Sequence, residues 1–133
     1  GLPLKPGVIE ILSWLKENSV NTGLATSTSR TNAVRHLENA GLLPYFAAVV
    51  TGDMIKHGKP DPEIYLLACE MLGAAPESCF AIEDSPNGIK SAHAAGLNVI
   101  MVPDLIAPAP DLEKLLHRKF DTLLDVRTYF ETL

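Results

Sequence analysis

The sequence predicts a three-layer α/β fold in which a parallel β-sheet is covered by helices on both faces. Short apolar runs of strand length alternate with longer segments whose apolar residues recur at helical spacing. The short runs suit strands that are buried on both sides, as in parallel sheets. Glycine, proline and hydroxyl residues stand between the segments, where turns and helix caps are expected.

The first half of the chain alternates helix, strand, helix and strand. The segment VIEILSWLKENS, opened by Pro6 or Gly7, carries apolar residues at helical spacing, and VNTGLAT is a short apolar strand that ends at Thr26. SRTNAVRHLENAG predicts a helix, because Ser29 is a suitable N-cap and Gly41 a suitable stop. The next apolar run, AAVVTG, is the second predicted strand.

The second half continues the alternation. KPDPEIYLLACEMLG predicts a helix that starts near Asp61, because Pro62 suits a first turn and Gly73 follows the last apolar position. CFAIED and NVIMVP are the third and fourth strands, and NGIKSAHAAG is the helix between them. PDLEKLLH predicts a short helix, DTLLD a fifth strand or extended segment, and VRTYFETL one or two final helical turns.

The bulk composition narrows the class of protein. The 133 residues suit one domain, and 47% hydrophobic residues are enough for a sizeable core. A net charge of −5 argues against a nucleic-acid partner. No apolar run approaches the roughly 18 residues of a membrane span. Because no signal peptide is visible and Cys69 and Cys79 lie in patterns typical of buried thiols, the sequence favours a cytoplasmic protein without a membrane partner.

Polar residues follow the predicted strands at their carboxyl ends, which is where parallel α/β sheets bind ligands. These residues are Thr-Ser-Thr at 26–28, Thr-Gly-Asp at 51–53, and the adjacent pair Glu83 and Asp84. Lys59 lies in the loop before a predicted helix. We therefore expect hydroxyls, a lysine and two carboxylates to converge on one rim of the sheet.

The chemistry of this set favours a phosphate group and a divalent cation. Hydroxyls and backbone N–H groups at a helix start bind phosphate oxygens, and a lysine supplies a positive point charge. Paired carboxylates hold a hard cation such as Mg²⁺, whose charge offsets the repulsion between Glu83 and Asp84. Each feature alone also suits a helix cap, a solvated loop residue or a turn, so the prediction depends on their joint order.

Three segments resemble the motifs of one enzyme superfamily. GLATSTS is similar to a motif in which a hydrophobic strand ends in Ser or Thr, and GKPDPEIY to a motif with Lys followed by Pro-x-Pro. AIEDSPNGIKSAHAAG resembles an acidic motif in its Glu-Asp-Ser form. Together they resemble the second, third and fourth motifs of the haloacid-dehalogenase superfamily, and most closely its β-phosphoglucomutase-like group. The resemblance covers nearly the whole chain and implies a Rossmann-like core.

The resemblance implies roles for the hydroxyl residues and the lysine. Thr26 would hydrogen-bond the transferring phosphoryl group, helped by the backbone N–H of Ser27. Thr28 would contact the substrate. Lys59 would neutralise charge on the phosphoryl group and steady the nucleophile, which makes Lys59 and Thr26 the expected catalytic residues.

The resemblance also implies a cofactor and a reaction. Asp84 would ligate Mg²⁺, directly or through water, with Glu83 as a second ligand. A phosphoryl group would pass to an aspartate carboxylate and then to water or back to a sugar hydroxyl, chemistry that relies on positioning and electrostatic stabilisation. The substrate would be a small phosphorylated metabolite such as a sugar phosphate, and the complete enzyme a monomer.

One part of the family pattern is missing. The first motif, a strand followed by Asp-x-Asp that supplies the nucleophile, follows no apolar strand here, and the helical cap domain is also absent. We therefore expect residues 1–133 to be the C-terminal part of a core domain and to be inactive alone. In the family, the missing strand lies between the strands that end here at Thr26 and Asp84.

Other classes of protein stay open at this point. A non-catalytic binding module would keep the fold without the nucleophile. A receiver-like phosphoacceptor domain would carry its acidic pair on the first strand and its lysine on the last, an order that this chain does not follow. The choice between phosphatase and phosphomutase also stays open, because the cap carries most of the specificity in the family.

Overall fold

Five short strands alternate with six helices in the computed structural model, which describes residues 7–102 and 110–133. The strands are β1 (Gly23–Ala25), β2 (Ala48–Val50), β3 (Phe80–Glu83), β4 (Asn98–Met101) and β5 (Arg118–Lys119). The helices are α1 (Val8–Glu17), α2 (Arg30–Asn39), α3 (Glu63–Leu72), α4 (Pro86–Ala94), α5 (Pro110–Glu113) and α6 (Leu123–Glu131). The predicted alternation is confirmed, while the alternative helix start at Pro6 and the strand end at Pro103 lie outside the described residues.

The described strands form two separate parallel sheets. β1 pairs with β2, while β3 pairs with β4 and β4 with β5. Among the strands in the described ranges, β1 and β3 therefore have one hydrogen-bonded neighbour each. Phe80 and Ile82 of β3 are both 36% exposed, whereas Ala81 and Glu83 are buried. β3 thus has one covered face and one partly open face.

Helices cover both faces and complete the three layers. Val99 and Met101 of β4 belong to a core that includes residues of α3 and α4. Ile100 and Val102 point the other way, into a core formed with α1 and α6. Alternate strand residues therefore enter opposite cores, which explains why the strands are continuous apolar runs. In the parts of the chain described, no helix combines the length and apolarity needed to cross a bilayer.

Predicted helix ends are confirmed where a capping residue marks them. The Ser29 hydroxyl oxygen accepts the N–H of Asn32 at 3.4 Å and begins α2. Gly73 ends α3 with a φ of 66°, a left-handed conformation that glycine adopts without steric cost. The N-cap of α3 is Pro62, so the helix begins at Glu63, two residues beyond Asp61.

The prediction of a strand or extended segment at DTLLD is wrong. The fifth strand lies earlier, at Arg118–Lys119, and pairs with β4. Thr122 is instead an N-cap whose hydroxyl oxygen accepts the N–H of Asp125 at 3.2 Å, so α6 already begins at Leu123. The difference arises because a short apolar run beside a capping threonine suits either a strand or a helix start.

The two cysteines are free thiols, and the prediction of burial is confirmed for one of them. Cys69 is buried in α3, whereas Cys79, just before β3, is half-buried. Their sulfur atoms lie 4.0 Å apart. Burial, followed by the neighbouring Cys79 thiol, raises the pKa of Cys69 to about 11, so this thiol stays protonated near neutral pH.

Candidate active site

Several of the polar residues predicted at the strand ends meet at an open cleft of about 500 Å³. The cleft is lined by Ser27, Lys59, Glu83, Asp84, Ser85, Pro86 and Asn87. Four of the predicted site residues therefore share one surface. The other two, Thr26 and Thr28, are neighbours of Ser27 in the chain but do not line the cleft themselves.

Lys59 contacts the ends of both β1 and β3. Its Nζ lies 2.6 Å from Glu83 Oε2 and 3.3 Å from the carbonyl oxygen of Ala25. The Tyr65 hydroxyl donates to the same Glu83 oxygen, and the Lys59 Nζ is 5.3 Å from the centre of the Tyr65 ring. Side-chain exposures of 14% for Lys59 and 7% for Glu83 shield this ion pair from water, which strengthens its attraction.

The loop that carries Lys59 is held on both sides. Glu63, the first residue of α3, accepts the backbone N–H of Lys56 at 2.8 Å and of His57 at 3.1 Å. The Lys56 N–H is the main reason that the pKa of the Glu63 carboxyl lies below its ordinary value. On the other side, the buried Ser91 hydroxyl of α4 donates to the Asp61 carbonyl at 2.7 Å. The position of Lys59 is thus set by contacts before and after it.

Gly88 makes room for the Glu83 carboxylate. A Cβ atom at position 88 would lie 2.0–2.6 Å from the carboxyl atoms of Glu83, far inside van der Waals contact. Gly88 lies in the first turn of α4, where its N–H donates to the N-cap oxygen Ser85 Oγ at 3.1 Å. A side chain at this position would displace Glu83, so packing explains the glycine that follows the Glu-Asp-Ser segment.

The Tyr65 phenol is a site residue that the sequence did not reveal. The helical pattern predicts it as core or half-buried, and it is indeed buried, but its hydroxyl also donates to Glu83. Burial, followed by the negative charge of Glu83, raises the pKa of the phenol above its ordinary value of 10.0. The two residues are 18 positions apart in the chain, so no local sequence pattern predicts this hydrogen bond.

The Thr26–Ser27–Thr28 segment turns sharply after β1. The N–H of Thr26 donates to the Val50 carbonyl at 2.9 Å, which extends the pairing of β1 with β2. The N–H of Thr28 donates to Thr26 Oγ1 at 3.2 Å, so the Thr26 hydroxyl keeps its own proton for another acceptor. Ser27 is exposed at the cleft, whereas the two threonines are half-buried.

The two adjacent carboxylates have different surroundings. Strand alternation puts Glu83 on the buried side of β3, towards Lys59 and Tyr65, while Asp84 is exposed and lines the cleft. Within residues 7–102 and 110–133, no group of three or more His, Cys, Asp and Glu side chains is arranged to hold a metal ion. Mg²⁺ takes hard oxygen ligands and needs only one or two protein carboxylates when phosphate and water supply the rest. The donor set of Asp84 and Glu83 fits such an ion.

The start of α4 completes the wall of the cleft. Ser85 is its N-cap and Pro86 its first residue, and Asn87 lines the cleft beside them. A capping serine followed by proline is a recognisable helix start, so this signal in SPNG could have placed these residues at the site. The N–H groups of a first helical turn favour anions.

Residues 1–96 match the family model for haloacid dehalogenase-like hydrolases. The chain is 44% identical over 95 residues to the phosphorylated carbohydrates phosphatase of Thermotoga maritima, covering 71% of this chain and 44% of that protein. It is 37% identical over 99 residues to the β-phosphoglucomutase of Bacillus subtilis, covering 74% and 43% respectively. The chain therefore spans about half the length of the curated relatives it matches, or slightly less.

A solved structure agrees with the whole fold. The crystal structure of CbbY from Rhodobacter sphaeroides in complex with phosphate has a TM-score of 0.83 to this chain at 30% sequence identity. The match covers 92% of this chain and 56% of that one, so it extends beyond residues 1–96. The predicted three-layer, Rossmann-like core is thereby confirmed.

Replacing Gly88 with alanine should push the Glu83 carboxylate away from Lys59. Breaking a buried ion pair costs about 3–5 kcal/mol, more than the roughly 1 kcal/mol by which alanine favours a helix over glycine. We expect a lower free energy of unfolding in urea. Gly58→Ala is the matched control, because no atom lies within 4 Å of a Cβ there. Equal stability of the two variants would contradict the packing role of Gly88.

Tyr65 should ionise only above the ordinary pH range of a phenol, because burial and the negative charge of Glu83 raise its pKa. Its folded-state pKa lies above the unfolded value, so its contribution to stability is complete below a pH of about 10 and is lost above it. In the wild type, the tyrosinate absorbance step at the highest pH should accompany unfolding. We expect the absorbance curve of Tyr65→Phe to lack that step. Loss of an earlier step instead would show that the phenol is not held by Glu83.

Proposed function

Because the chain belongs to the haloacid dehalogenase-like hydrolase family, we propose that it is part of a Mg²⁺-dependent enzyme that transfers a phosphoryl group from a small sugar phosphate through an aspartyl-phosphate. The family match is inconsistent with a receiver-like domain. A phosphatase of phosphorylated carbohydrates and a β-phosphoglucomutase among the relatives support this substrate class. The free thiols Cys69 and Cys79 support a cytoplasmic location, where the complete enzyme would act as a monomer.

The observation that carries the proposal is the fixed position of Lys59 at the cleft. Its ammonium group contacts the Ala25 carbonyl and the Glu83 carboxylate while Lys59 also lines the cleft. An ammonium group has three N–H donors, so these two contacts leave one for an anion in the cleft. A cation held in advance stabilises charge that develops during phosphoryl transfer without rearranging at that moment.

The Thr26–Ser27–Thr28 segment would bind the phosphoryl oxygens. The Thr26 hydroxyl accepts the Thr28 N–H and keeps a proton to donate to an oxygen of the phosphoryl group. The Ser27 backbone N–H would donate to a second oxygen, because Ser27 is the member of the segment that lines the cleft. Thr28 would contact the rest of the substrate.

Asp84 is the carboxylate that we assign to Mg²⁺, because it is exposed and lines the cleft. Both contacts of Glu83 with Lys59 and Tyr65 use Oε2, so Oε1 is the atom that would serve as a second ligand. When bound, the ion would offset negative charge on the phosphoryl group. Glu83 would also orient Lys59, a role that needs no metal.

The nucleophilic aspartate would belong to a segment outside these residues. In the described ranges β1 and β3 each have one strand neighbour, and Lys59 bridges the ends of these two strands. These features, together with relatives of which this chain covers only about half, support insertion of the first-motif strand between β1 and β3. The cap domain would be on the same additional segment.

The nucleophile assignment is tested by comparing the 133-residue chain with a version extended upstream. With p-nitrophenyl phosphate and Mg²⁺, we expect hydrolysis by the extended protein and none by the short chain. Clear Mg²⁺-dependent hydrolysis by the short chain would refute the assignment. A folded extended protein that turns over neither this ester nor sugar phosphates would instead indicate a non-catalytic binding module.

Two substitutions in the extended protein test the assigned roles. Lys59→Ala should lower kcat by about 10²–10³, the usual effect of losing one well-placed charge contact. Asp84→Asn should lower turnover strongly and raise the Mg²⁺ concentration needed for half-maximal activity, because the isosteric amide lacks the charge. The exposed residues Lys114 and Asp121 provide matched controls as Lys114→Ala and Asp121→Asn. Full activity in EDTA, or wild-type turnover of Lys59→Ala, would contradict the roles.

A further inference from the structure

The Thr-Gly-Asp turn at 51–53 follows β2 on the same rim as the cleft, yet none of the roles above uses it. The turn packs directly against the segment proposed to bind the phosphoryl group. The N–H of Gly52 donates to the Thr28 carbonyl at 3.0 Å. A Cβ atom at Gly52 would lie only 2.4 Å from the Ser27 carbonyl oxygen, so the two backbones approach as closely as glycine permits.

Asp53 joins this turn to the start of α2. Its two carboxylate oxygens accept the backbone N–H of Arg30 at 3.1 and 3.2 Å. The Thr51 hydroxyl, which is fully buried, donates to Asp53 Oδ1 at 2.5 Å. The Arg30 guanidinium returns to β2 and donates to the Val49 carbonyl at 3.1 Å. Polar contacts therefore connect the ends of β1 and β2, before and after residues 26–29.

The charge of Asp53 suits its position. A carboxylate at the first N–H group of a helix interacts favourably with the helix dipole. The Thr51 hydroxyl, and then the Arg30 N–H, hold the pKa of the Asp53 carboxyl below its ordinary value of 3.8. The ionised form therefore makes these contacts above that pH, and they are lost as the pH falls through the lowered pKa.

We propose that Asp53 is a positioning residue that holds the Thr26–Ser27–Thr28 segment in the conformation that presents its hydroxyl and N–H groups to the phosphoryl group. This inference rests on the proposed function and extends it to a residue outside the cleft. Asp53 acts through the Arg30 N–H and through Thr51, and it does not line the cleft itself. Removing the Asp53 carboxylate should therefore lower kcat more than it changes KM or the free energy of unfolding.

The test compares Asp53→Ala, Asp53→Asn and the control Glu38→Ala, which removes an exposed acid from the far end of α2. Amide hydrogen exchange is measured on the 133-residue chain. We expect faster exchange at Arg30 and Gly52 in Asp53→Ala, an intermediate rate in Asp53→Asn, and wild-type rates in Glu38→Ala. Asparagine keeps one carbonyl acceptor, so partial rescue distinguishes the hydrogen bonds from the charge.

Steady-state kinetics on the upstream-extended protein provide the functional readout. We expect kcat of Asp53→Ala to fall roughly 10-fold or more, because small misplacements of binding groups are costly, while KM changes less. Unchanged exchange at Arg30, or kcat within about twofold of wild type, overturns the proposal. An inactive extended wild type refutes the proposed function instead. In that case, faster amide exchange at Arg30 and Gly52 in Asp53→Ala still supports the proposal that Asp53 holds the Thr26–Ser27–Thr28 segment. Unchanged exchange refutes it.

Discussion

Lys59 and Glu83 form an ion pair that is largely shielded from water, and charges in such a place must be satisfied by their neighbours. Much of the local structure meets that requirement. The Tyr65 hydroxyl and the Ala25 carbonyl supply polar contacts, and Gly88 leaves the space that the carboxylate occupies. The pair therefore connects β1 and β3, which belong to separate sheets, beneath the α3 and α4 layer.

The same requirement explains how a loop can carry a precisely placed charge. Long lysine side chains lose considerable conformational freedom when they are fixed. Glu63 and Ser91 restrain the backbone on either side of Lys59, so less freedom remains to be lost when its ammonium group is held. A rigid loop and an oriented ammonium group are thus two parts of one arrangement, with the restraints supplied by residues outside the cleft.

The sequence was sufficient for those parts of the fold that depend on neighbouring residues. Capping at Ser29 and the stop at Gly73 were predictable because each acts within one helical turn. The strand prediction for DTLLD is wrong, because a short apolar run does not itself distinguish a strand from a helix start capped by Thr122. The convergence of Ser27, Lys59 and Asp84 followed from the rule that ligands bind at the carboxyl ends of parallel strands. The contact between Tyr65 and Glu83 could not be predicted, because it depends on where the packing of α3 on β1 and β2 places the phenol relative to the end of β3.

The partly open face of β3 bears on how the chain behaves in concentrated solution. Phe80 and Ile82 on this face are apolar and partly exposed, although the Phe80 ring also contacts Phe130 of α6. The charged Glu83 lies on the buried side of the strand. Among the described strands β3 is also hydrogen-bonded on one side only, and the unpaired backbone of such an edge strand is a template on which extended segments of other molecules can add. We therefore expect the isolated chain to self-associate as its concentration rises, so that its apparent stability depends on concentration. Lysine or proline on the outward side of β3 would act as a gatekeeper against such aggregation.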